Sequence, residues 1–332
     1  MVTIREVARV AGVSVATASR ALNGLANVNV ETRGRIEAAA ARLDYVPHSG
    51  ARSLTRRRSD TIGVILPDLF GEFFSEIIRG IDMVVHDAGK ILLLGNMHGS
   101  PQETQQAIRA MRGRVDGLLV MPPNSDAATL GLTGGWRIPT VLLNARPYDG
   151  GLPFVTVDNY AGARLVTEHL VARGATRIVH VAGPQDNNDA RERERGFRDV
   201  VREALGDTTP LVVPGDFRDG AGRSAARSLL ARQSVFDAVF SANDLMAVEL
   251  MAELRDAGIV LGSQVLVAGF DDIPLARYVT PQLTTVHSDI TRVGIDGARL
   301  LLRILDGEDP GEGGRLVIAP TLAVRGSTGP AE

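Results

Sequence analysis

The sequence predicts a small all-α domain followed by a larger α/β core of two lobes, each built on a parallel sheet. The first 46 residues contain three short helical segments separated by turn signals, and strand-like and helix-like segments alternate from Thr61 onward. Charge divides in the same way. Residues 1–58 hold ten of the 36 basic residues and four of the 39 acidic residues. The rest of the chain holds 26 basic and 35 acidic residues. A basic head on an acidic body indicates a polyanionic partner for the head alone.

Composition excludes several classes of protein. The chain has no cysteine, which removes disulfides, thiolate nucleophiles and cysteine-based zinc sites. No apolar run approaches the ~20 residues that a bilayer requires, and no apolar signal core follows the N-terminus. The six histidines lack metal-ligand spacing. We therefore expect a cytoplasmic protein with no membrane contact, no metal and no other cofactor.

The head has the signals of a helix-turn-helix domain. Thr3-Ile4-Arg5-Glu6 has the spacing of a capping box, which predicts the start of a first helix. Gly12 permits the sharp turn that ends this helix, and Ser14 can cap a second. A third helix, capped by Asn29, is predicted over residues 30–43. Two short helices around a tight turn, with a third that closes the core, are typical of this DNA-binding unit.

The second helix is predicted to enter the DNA major groove with its N-terminus first. Its outward residues are Val15, Ala16, Thr17 and Arg20. Val15 and Ala16 suit a thymine methyl group, and Arg20 can pair with a guanine edge. Four further side chains are placed to bind phosphates, which position the head without reading sequence: Thr3, Ser14, Ser19 and Asn23. The simpler interpretation is that Ser14 only caps its helix and Arg20 is a solvated charge.

Three segments of the head resemble the N-terminal signature of the LacI/GalR family of transcriptional regulators: Thr3-Ile4-Arg5-Glu6-Val7-Ala8, Ala11-Gly12-Val13-Ser14 and Thr17-Ala18-Ser19-Arg20-Ala21-Leu22-Asn23. The resemblance continues through residues 43–47 and 51–54 and on to near Arg325. It implies a core of the periplasmic-binding-protein-like, type I architecture. It also implies a homodimer on double-stranded operator DNA and leaves open whether dimers pair into a tetramer.

Residues 47–59 match a hinge that, in the resembled family, becomes helical on operator DNA. The resemblance implies that Leu54 wedges into the central base step, with Ala51 also at the DNA. The alternative is a linker leucine docked on the free protein. Gly50 costs a helix about 1 kcal/mol relative to alanine, so we expect a poorly formed hinge in the absence of DNA.

The remaining chain reads as two βαβ series. The first predicts strands over Thr61–Leu66, 91–94, 118–121 and 141–143 with helices over 73–88 and 102–111. The second predicts helices over 159–173, from 191, between the strands at 211–213 and 238–240, and over 246–257, with strands over 178–181, 211–213, 238–240 and 265–268. A helix over Ile290–Leu305 returns to the first lobe, and final strands after it cross between the lobes again. The predicted domains are the head (1–46), the hinge (47–59), an N-lobe (60–158 plus 290–318) and a C-lobe (159–289 plus 319–328).

Ligands of such sheets sit beyond the carboxyl ends of the strands. Polar residues at these ends are Asp68, Asn144, Asn243 and Asp271, and Phe73 and Phe217 can supply the aromatic face that a sugar ring needs. The family resemblance places a ligand-binding arginine at Arg193. Simpler interpretations remain for two neighbours: either Phe73 or Phe74 is core, and Asp244 caps the helix that starts there.

These features together predict a repressor of carbohydrate-uptake or catabolic genes that a sugar-type effector releases from a pseudo-palindromic operator. Two alternatives stay open: a purine- or metabolite-dependent co-repressed regulator, and a stand-alone sugar-binding protein. An enzyme is disfavoured because no Walker-A, dinucleotide, nucleophile-elbow or His-Glu-x-x-His motif occurs.

Overall fold

The computed structural model describes residues 2–23, 27–45, 58–97, 101–122, 138–145, 151–206, 210–233 and 235–329. It divides into two compact units, one of residues 1–61 with 113–116 and one of residues 62–112 with 117–332. No helix in the described ranges is long and apolar enough to cross a bilayer.

The head consists of helices α1 (Ile4–Ala11), α2 (Val15–Leu22) and α3 (Val30–Arg42). Val7, Ala18 and Ile36, one from each helix, are fully buried and form the centre of its core. These helices begin where the capping signals predict. Glu6 Oε2 accepts the Thr3 N–H at 2.8 Å, Ser14 Oγ accepts from Thr17 at 3.1 Å and Asn29 Oδ1 accepts from Thr32 at 2.8 Å.

The N-lobe is a six-stranded sheet with helices packed against it. Its strands run in the order β11-β5-β4-β3-β1-β2, and the pairs β11–β5, β5–β4, β4–β3 and β3–β1 are parallel. Its elements are β1 (Thr61–Leu66), α4 (Glu72–Asp87), β2 (Ile91–Asn96), α5 (Pro101–Met111), β3 (Gly117–Val120), β4 (Thr140–Leu143), β5 (Phe154–Val157), α10 (Ile290–Leu305) and β11 (Arg315–Ile318).

The C-lobe repeats this plan with strand order β12-β10-β9-β8-β6-β7. The β10–β12 pair is antiparallel, and the pairs β10–β9, β9–β8, β8–β6 and β6–β7 are parallel. Its elements are α6 (Asn159–Ala172), β6 (Ile178–Val181), α7 (Asn188–Leu205), β7 (Leu211–Val213), α8 (Ala221–Ala231), β8 (Ala238–Ser241), α9 (Asp244–Asp256), β9 (Leu266–Asp271), β10 (Thr284–His287) and β12 (Thr321–Ala323). The chain passes between the lobes after β5, after β10 and after β11.

Helices α4 and α10 lie in close contact on the N-lobe because each carries a glycine at the crossing. A Cβ on Gly80 would lie 2.1 Å from the Thr291 carbonyl oxygen, and one on Gly294 would lie 2.3 Å from that of Ile77. The Thr291 hydroxyl also donates to Glu76 Oε2 at 2.7 Å. The end of the chain therefore completes the lobe that its beginning starts.

The predicted fold class, a small helical head followed by two α/β lobes, is confirmed. Differences are local. β5 and β10 are absent from the predicted strands, and α7 begins at Asn188 instead of 191 because Asn187 caps it, accepting the Ala190 N–H at 3.0 Å.

Candidate functional sites

The head presents the N-terminal part of α2 to solvent. Ser14, Val15, Ala16 and Arg20 are exposed, and Thr17 is half-buried. Alternation of these residues with buried Ala18 and Ala21 follows from the helical period, which directs one face to the core and leaves the other free. A short apolar patch beside an arginine can therefore reach the edges of bases in a major groove.

The four predicted phosphate-binding residues differ in their surroundings. Thr3 and Ser14 are exposed at the starts of α1 and α2, and Ser19 is half-buried. Asn23 is buried, and its Nδ2 donates to Ser19 Oγ at 3.3 Å, so its first role is to finish α2. Ala51 and Leu54, the predicted hinge contacts, lie outside the described residues.

In the C-lobe, Arg193 lies on α7 and is 4% exposed. Its Nε donates to Asn159 Oδ1 at 2.8 Å and its Nη1 donates to the Ala242 carbonyl at 2.5 Å. The guanidinium carbon lies 3.7 Å from the centroid of the Phe270 ring, a cation–π contact in a desolvated setting. Two hydrogen bonds and the Phe270 ring against one face leave the guanidinium little room to move.

Asp271, the last residue of β9, is the acidic partner of Arg193. Its Oδ1 lies 3.1 Å from Arg193 Nη2, but the contact is not aligned as a hydrogen bond, and this buried oxygen has no hydrogen-bond partner. Burial raises the pKa of Asp271 to about 6, against the opposing effect of Arg193, and the nearby Asp189 raises it further. The site therefore holds a buried carboxylate oxygen that is ion-paired with Arg193 and accepts no aligned hydrogen bond.

Phe217 and Asn243 complete the predicted C-lobe set. The Phe217 ring centroid is 5.7 Å from the Arg193 guanidinium, and the residue has a φ of 67°, a strained value for a large side chain. Asn243 donates through Nδ2 to the Phe217 carbonyl at 3.4 Å and caps α9 by accepting the Met246 N–H at 3.0 Å. These bonds use one of the two amide N–H donors and one of the two acceptor positions of Asn243.

The capping role expected for Asp244 is wrong by one residue, because Asn243 caps the helix. Asp244 is fully buried instead. Its Oδ1 is 2.5 Å from Thr285 Oγ1, and its Oδ2 accepts the Ile273 N–H at 2.9 Å. Burial, then the charge of Asp271, raises the pKa of Asp244 well above its ordinary value.

The N-lobe supplies Asp68, Phe73 and Asn144 at or near the carboxyl ends of its strands. Asp68 Oδ1 accepts the N–H groups of Leu69 and Phe70 at 2.7 and 3.1 Å, which forms a local turn. Asn144 has a φ of 46°, and its buried Oδ1 has no partner.

The Phe73 and Phe74 rings meet edge to face, with centroids 5.3 Å apart. Both rings pack against the N-lobe core, so neither is solely a ligand surface.

A cavity of about 200 Å³ lies beside Asp271 between the lobes. Glu76, Arg79 and Thr291 line it from the N-lobe, whereas Asp272 and His287 line it from the C-lobe. Of the seven predicted effector residues, only Asp271 is in its lining. Contacts among the described residues thus join Arg193, Asp271, Phe217 and Asn243, and they do not join Asp68, Phe73 or Asn144 to this group.

Sequence reasoning missed Asn159 and Phe270 as supports of Arg193. Asn159 is buried at the start of α6, where Asp158 provides the cap by accepting the Ala161 N–H at 2.9 Å. The signal available in the sequence was a polar residue next to Asp158, at the start of the helix predicted over 159–173. Within the described ranges, no group of three or more His, Asp or Glu side chains is arranged to hold a metal ion.

Comparison with known proteins identifies the class. Residues 3–48 match the model of bacterial regulatory proteins of the lacI family, and residues 167–328 match a periplasmic binding protein-like domain. The ribose operon repressor of Escherichia coli K12 is 33% identical over 330 residues, which cover 98% of this chain and all of the relative. The chain belongs to the lacI family.

Particular relatives extend this result. GalR of Salmonella typhimurium, an HTH-type transcriptional regulator, is 35% identical and covers 98% of this chain and 96% of its own length. The lac repressor dimer bound to operator and the anti-inducer ONPF superposes with a TM-score of 0.88 at 28% identity, covering 99% of both chains. The transcriptional regulator CelR in complex with cellobiose superposes with a TM-score of 0.72 at 32% identity, covering 98% of this chain and 100% of that chain.

Proposed function

We propose that this chain is a sugar-responsive repressor that acts as a homodimer. Two heads bind a pseudo-palindromic operator in the cytoplasm, and a neutral sugar bound in the core releases them from genes for uptake or breakdown of that sugar. The carrying observation is the buried Arg193–Asp271 pair, which retains an unpartnered acceptor at strand ends. The role is one of binding, without catalysis.

The chemistry of the effector site favours a neutral polyol. Arg193 already donates to two protein acceptors, and its charge is paired with Asp271. A buried acceptor without a donor is costly, and a sugar hydroxyl would supply the donor that Asp271 Oδ1 and Asn144 Oδ1 lack. A phosphate group would instead bring negative charge close to Asp271 and Asp189. Phe217 and Phe73 would offer apolar faces to the ring, with Asp68 and Asn243 at its rim.

Operator recognition is assigned to the exposed face of α2. Arg20 would bind a guanine edge, and Val15 and Ala16 would contact thymine methyl groups. Thr17 would lie on the same face of α2, and the hydroxyl and amide side chains around it would bind phosphates: Thr3, Ser14, Ser19 and Asn23. On sequence grounds alone, Ala51 and Leu54 remain part of this proposed interface.

The proposed dimer uses the N-lobe. Strand β2 is the last strand in its sheet order, and Ile91 and Leu94 on it are 67% and 39% exposed. Met83, on the neighbouring helix α4, is 53% exposed. Exposed apolar side chains along an unpaired strand edge are typical of a surface that a second protein covers.

The test begins with selection of duplex DNA by the purified protein from a random pool, which should return a pseudo-palindrome. Operator affinity is then measured with D-ribose, cellobiose, D-ribose 5-phosphate and adenine. We expect a neutral sugar to weaken binding. Strengthening by adenine would instead establish the co-repressed alternative.

Arg193→Ala should keep operator binding and lose the sugar response. Arg191→Ala provides the matched control, since Arg191 is exposed on the same helix and donates to the Gln185 carbonyl at 3.2 Å. A normal response in Arg193→Ala would refute the assignment of the effector site. Failure to select any DNA sequence would refute the regulator itself.

A further inference from the structure

Residues 271–275 form a segment that both lobes hold by a backbone amide. The Ile273 N–H donates to Asp244 Oδ2 of the C-lobe helix α9 at 2.9 Å. Two residues later, the Leu275 N–H donates to Glu72 Oε2 of the N-lobe helix α4, also at 2.9 Å. Asp271, the acceptor of the proposed effector site, is the first residue of this segment.

The apolar side chains of the segment pack into the N-lobe, although the segment continues from a C-lobe strand. Ile273 is 5% exposed and lies in the same apolar cluster as Leu66 and Ile290 of the N-lobe. Leu275 packs against that cluster as well. A displacement of Asp271 therefore moves apolar groups that are embedded in the N-lobe core, where close packing transmits strain.

The C-lobe end of the segment is the rigid one. Asp244 is fully buried and also bound to Thr285, at 2.5 Å. It fits there because position 269 is glycine: a Cβ on Gly269 would lie 2.1 Å from Asp244 Oδ1. Movement of the segment relative to α9 is accordingly restricted.

At the N-lobe end, beside the packing of Ile273 and Leu275, the backbone is held by the hydrogen bond that the Leu275 N–H donates to the half-buried carboxylate of Glu72. Glu72 is the first residue of α4 and directly precedes Phe73. We propose that Glu72 is a positioning residue. Its hydrogen bond to Leu275 makes α4 follow a movement of Asp271, and this couples effector occupancy to the N-lobe. This inference rests on the proposed function and specifies the regulation of the same site.

The first experiment requires no effector. Hydrogen exchange of the Leu275 amide is compared in the full-length wild type, Glu72→Ala, Glu72→Gln and the control Asp87→Ala, which removes an exposed carboxylate from the end of the same helix. Loss of the acceptor should speed exchange about tenfold in Glu72→Ala. Glutamine keeps a carbonyl acceptor, so Glu72→Gln and the control should exchange as the wild type does. Equal exchange in Glu72→Ala and wild type would overturn the proposal.

The second experiment measures coupling with D-ribose as the probe. For each protein, the D-ribose dissociation constant and the operator affinity with and without D-ribose are determined. Allosteric factors are usually about 5–150-fold. The allosteric factor is the ratio of operator affinities without and with D-ribose. We expect this factor to be at least fivefold smaller in Glu72→Ala than in the wild type, while Glu72→Ala still binds D-ribose and operator. Glu72→Gln should have the wild-type factor. A wild-type factor in Glu72→Ala would refute the coupling role.

The two proposals fail separately. If the wild type does not bind D-ribose, that sugar is not the effector, and the exchange experiment decides whether Glu72 fixes the segment. If D-ribose releases the wild type and Glu72→Ala equally, the repressor proposal stands and the role of Glu72 does not.

Discussion

His180 makes the stability of the core depend on pH in a way that can be calculated. The imidazole lies on β6 between Phe197 and Phe240, with ring centroids 5.0 and 4.7 Å away. It is fully buried; its Nδ1 is 3.0 Å from the Phe240 carbonyl, and its Nε2 has no partner. Burial lowers the pKa of His180 from 6.5 to about 4.

The sign and size follow from linkage. The unfolded chain binds a proton at this site as the pH falls below 6.5, whereas the folded chain does not until about pH 4. The stability contributed by neutral His180 is therefore complete above the unfolded pKa and is lost as the pH falls. Between pH 7 and pH 5 this amounts to about 2 kcal/mol, with a limit of about 3 kcal/mol at lower pH.

The assay is urea unfolding of the wild type and His180→Asn at pH 7 and pH 5. Asparagine keeps a donor near the Phe240 carbonyl and does not titrate. Burial raises the pKa of Asp271 to about 6, so its protonation stabilises the folded state as the pH falls, and it does so in both proteins. The quantity compared is therefore the change in the free energy of unfolding between pH 7 and pH 5. From pH 7 to pH 5, the free energy of unfolding of His180→Asn should fall by about 2 kcal/mol less than that of the wild type. The control His86→Asn, at an exposed site, should behave as the wild type does. Equal losses in wild type and His180→Asn would refute the reasoning.

Three further predictions concern the head, the helix crossing and the dimer face. Arg20→Ala should lower the preference for the selected operator over a site with its guanine replaced by about 1–3 kcal/mol, measured by competition binding; equal loss on all sequences would show a phosphate contact instead. Gly80→Ala should destabilise the core by at least about 2 kcal/mol in denaturant unfolding because its Cβ meets the Thr291 carbonyl, whereas Gly34→Ala, with nothing within 4 Å, should stabilise α3 by about 1 kcal/mol. Met83→Asp with Ile91→Asp should give monomers in analytical ultracentrifugation and weaken operator binding, and an unchanged mass would place the dimer elsewhere.

The head could be predicted closely because its signals are local. Thr3, Ser14 and Asn29 each cap a helix through the residue three positions later, so a short window of sequence contains both partners. The core was predicted in class and in most elements, but β5 and β10 were not predicted. Both are four-residue strands that are defined by pairing with distant strands, such as Phe154 with Arg315, and not by their own pattern.

The proposed effector site shows the same limit. Arg193 contacts Asp271 and Phe217, and the residues that support this group come from far along the chain. Asn159 is 34 residues from Arg193, and Asp244 is 41 residues from Thr285. No spacing rule links such pairs, because the topology of the sheets brings them together.

The N-lobe is closed by α10 and β11, which are encoded near the far end of the sequence. During synthesis the head leaves the ribosome before the core, and the residues described in its own core lie within the first 45 positions. The N-lobe carries the proposed dimer surface, and it can close only after the C-lobe strands up to β10 have been synthesised, because α10 and β11 follow them. The proposed two-fold contact with an operator therefore depends on elements that follow most of the C-lobe and not on the head alone.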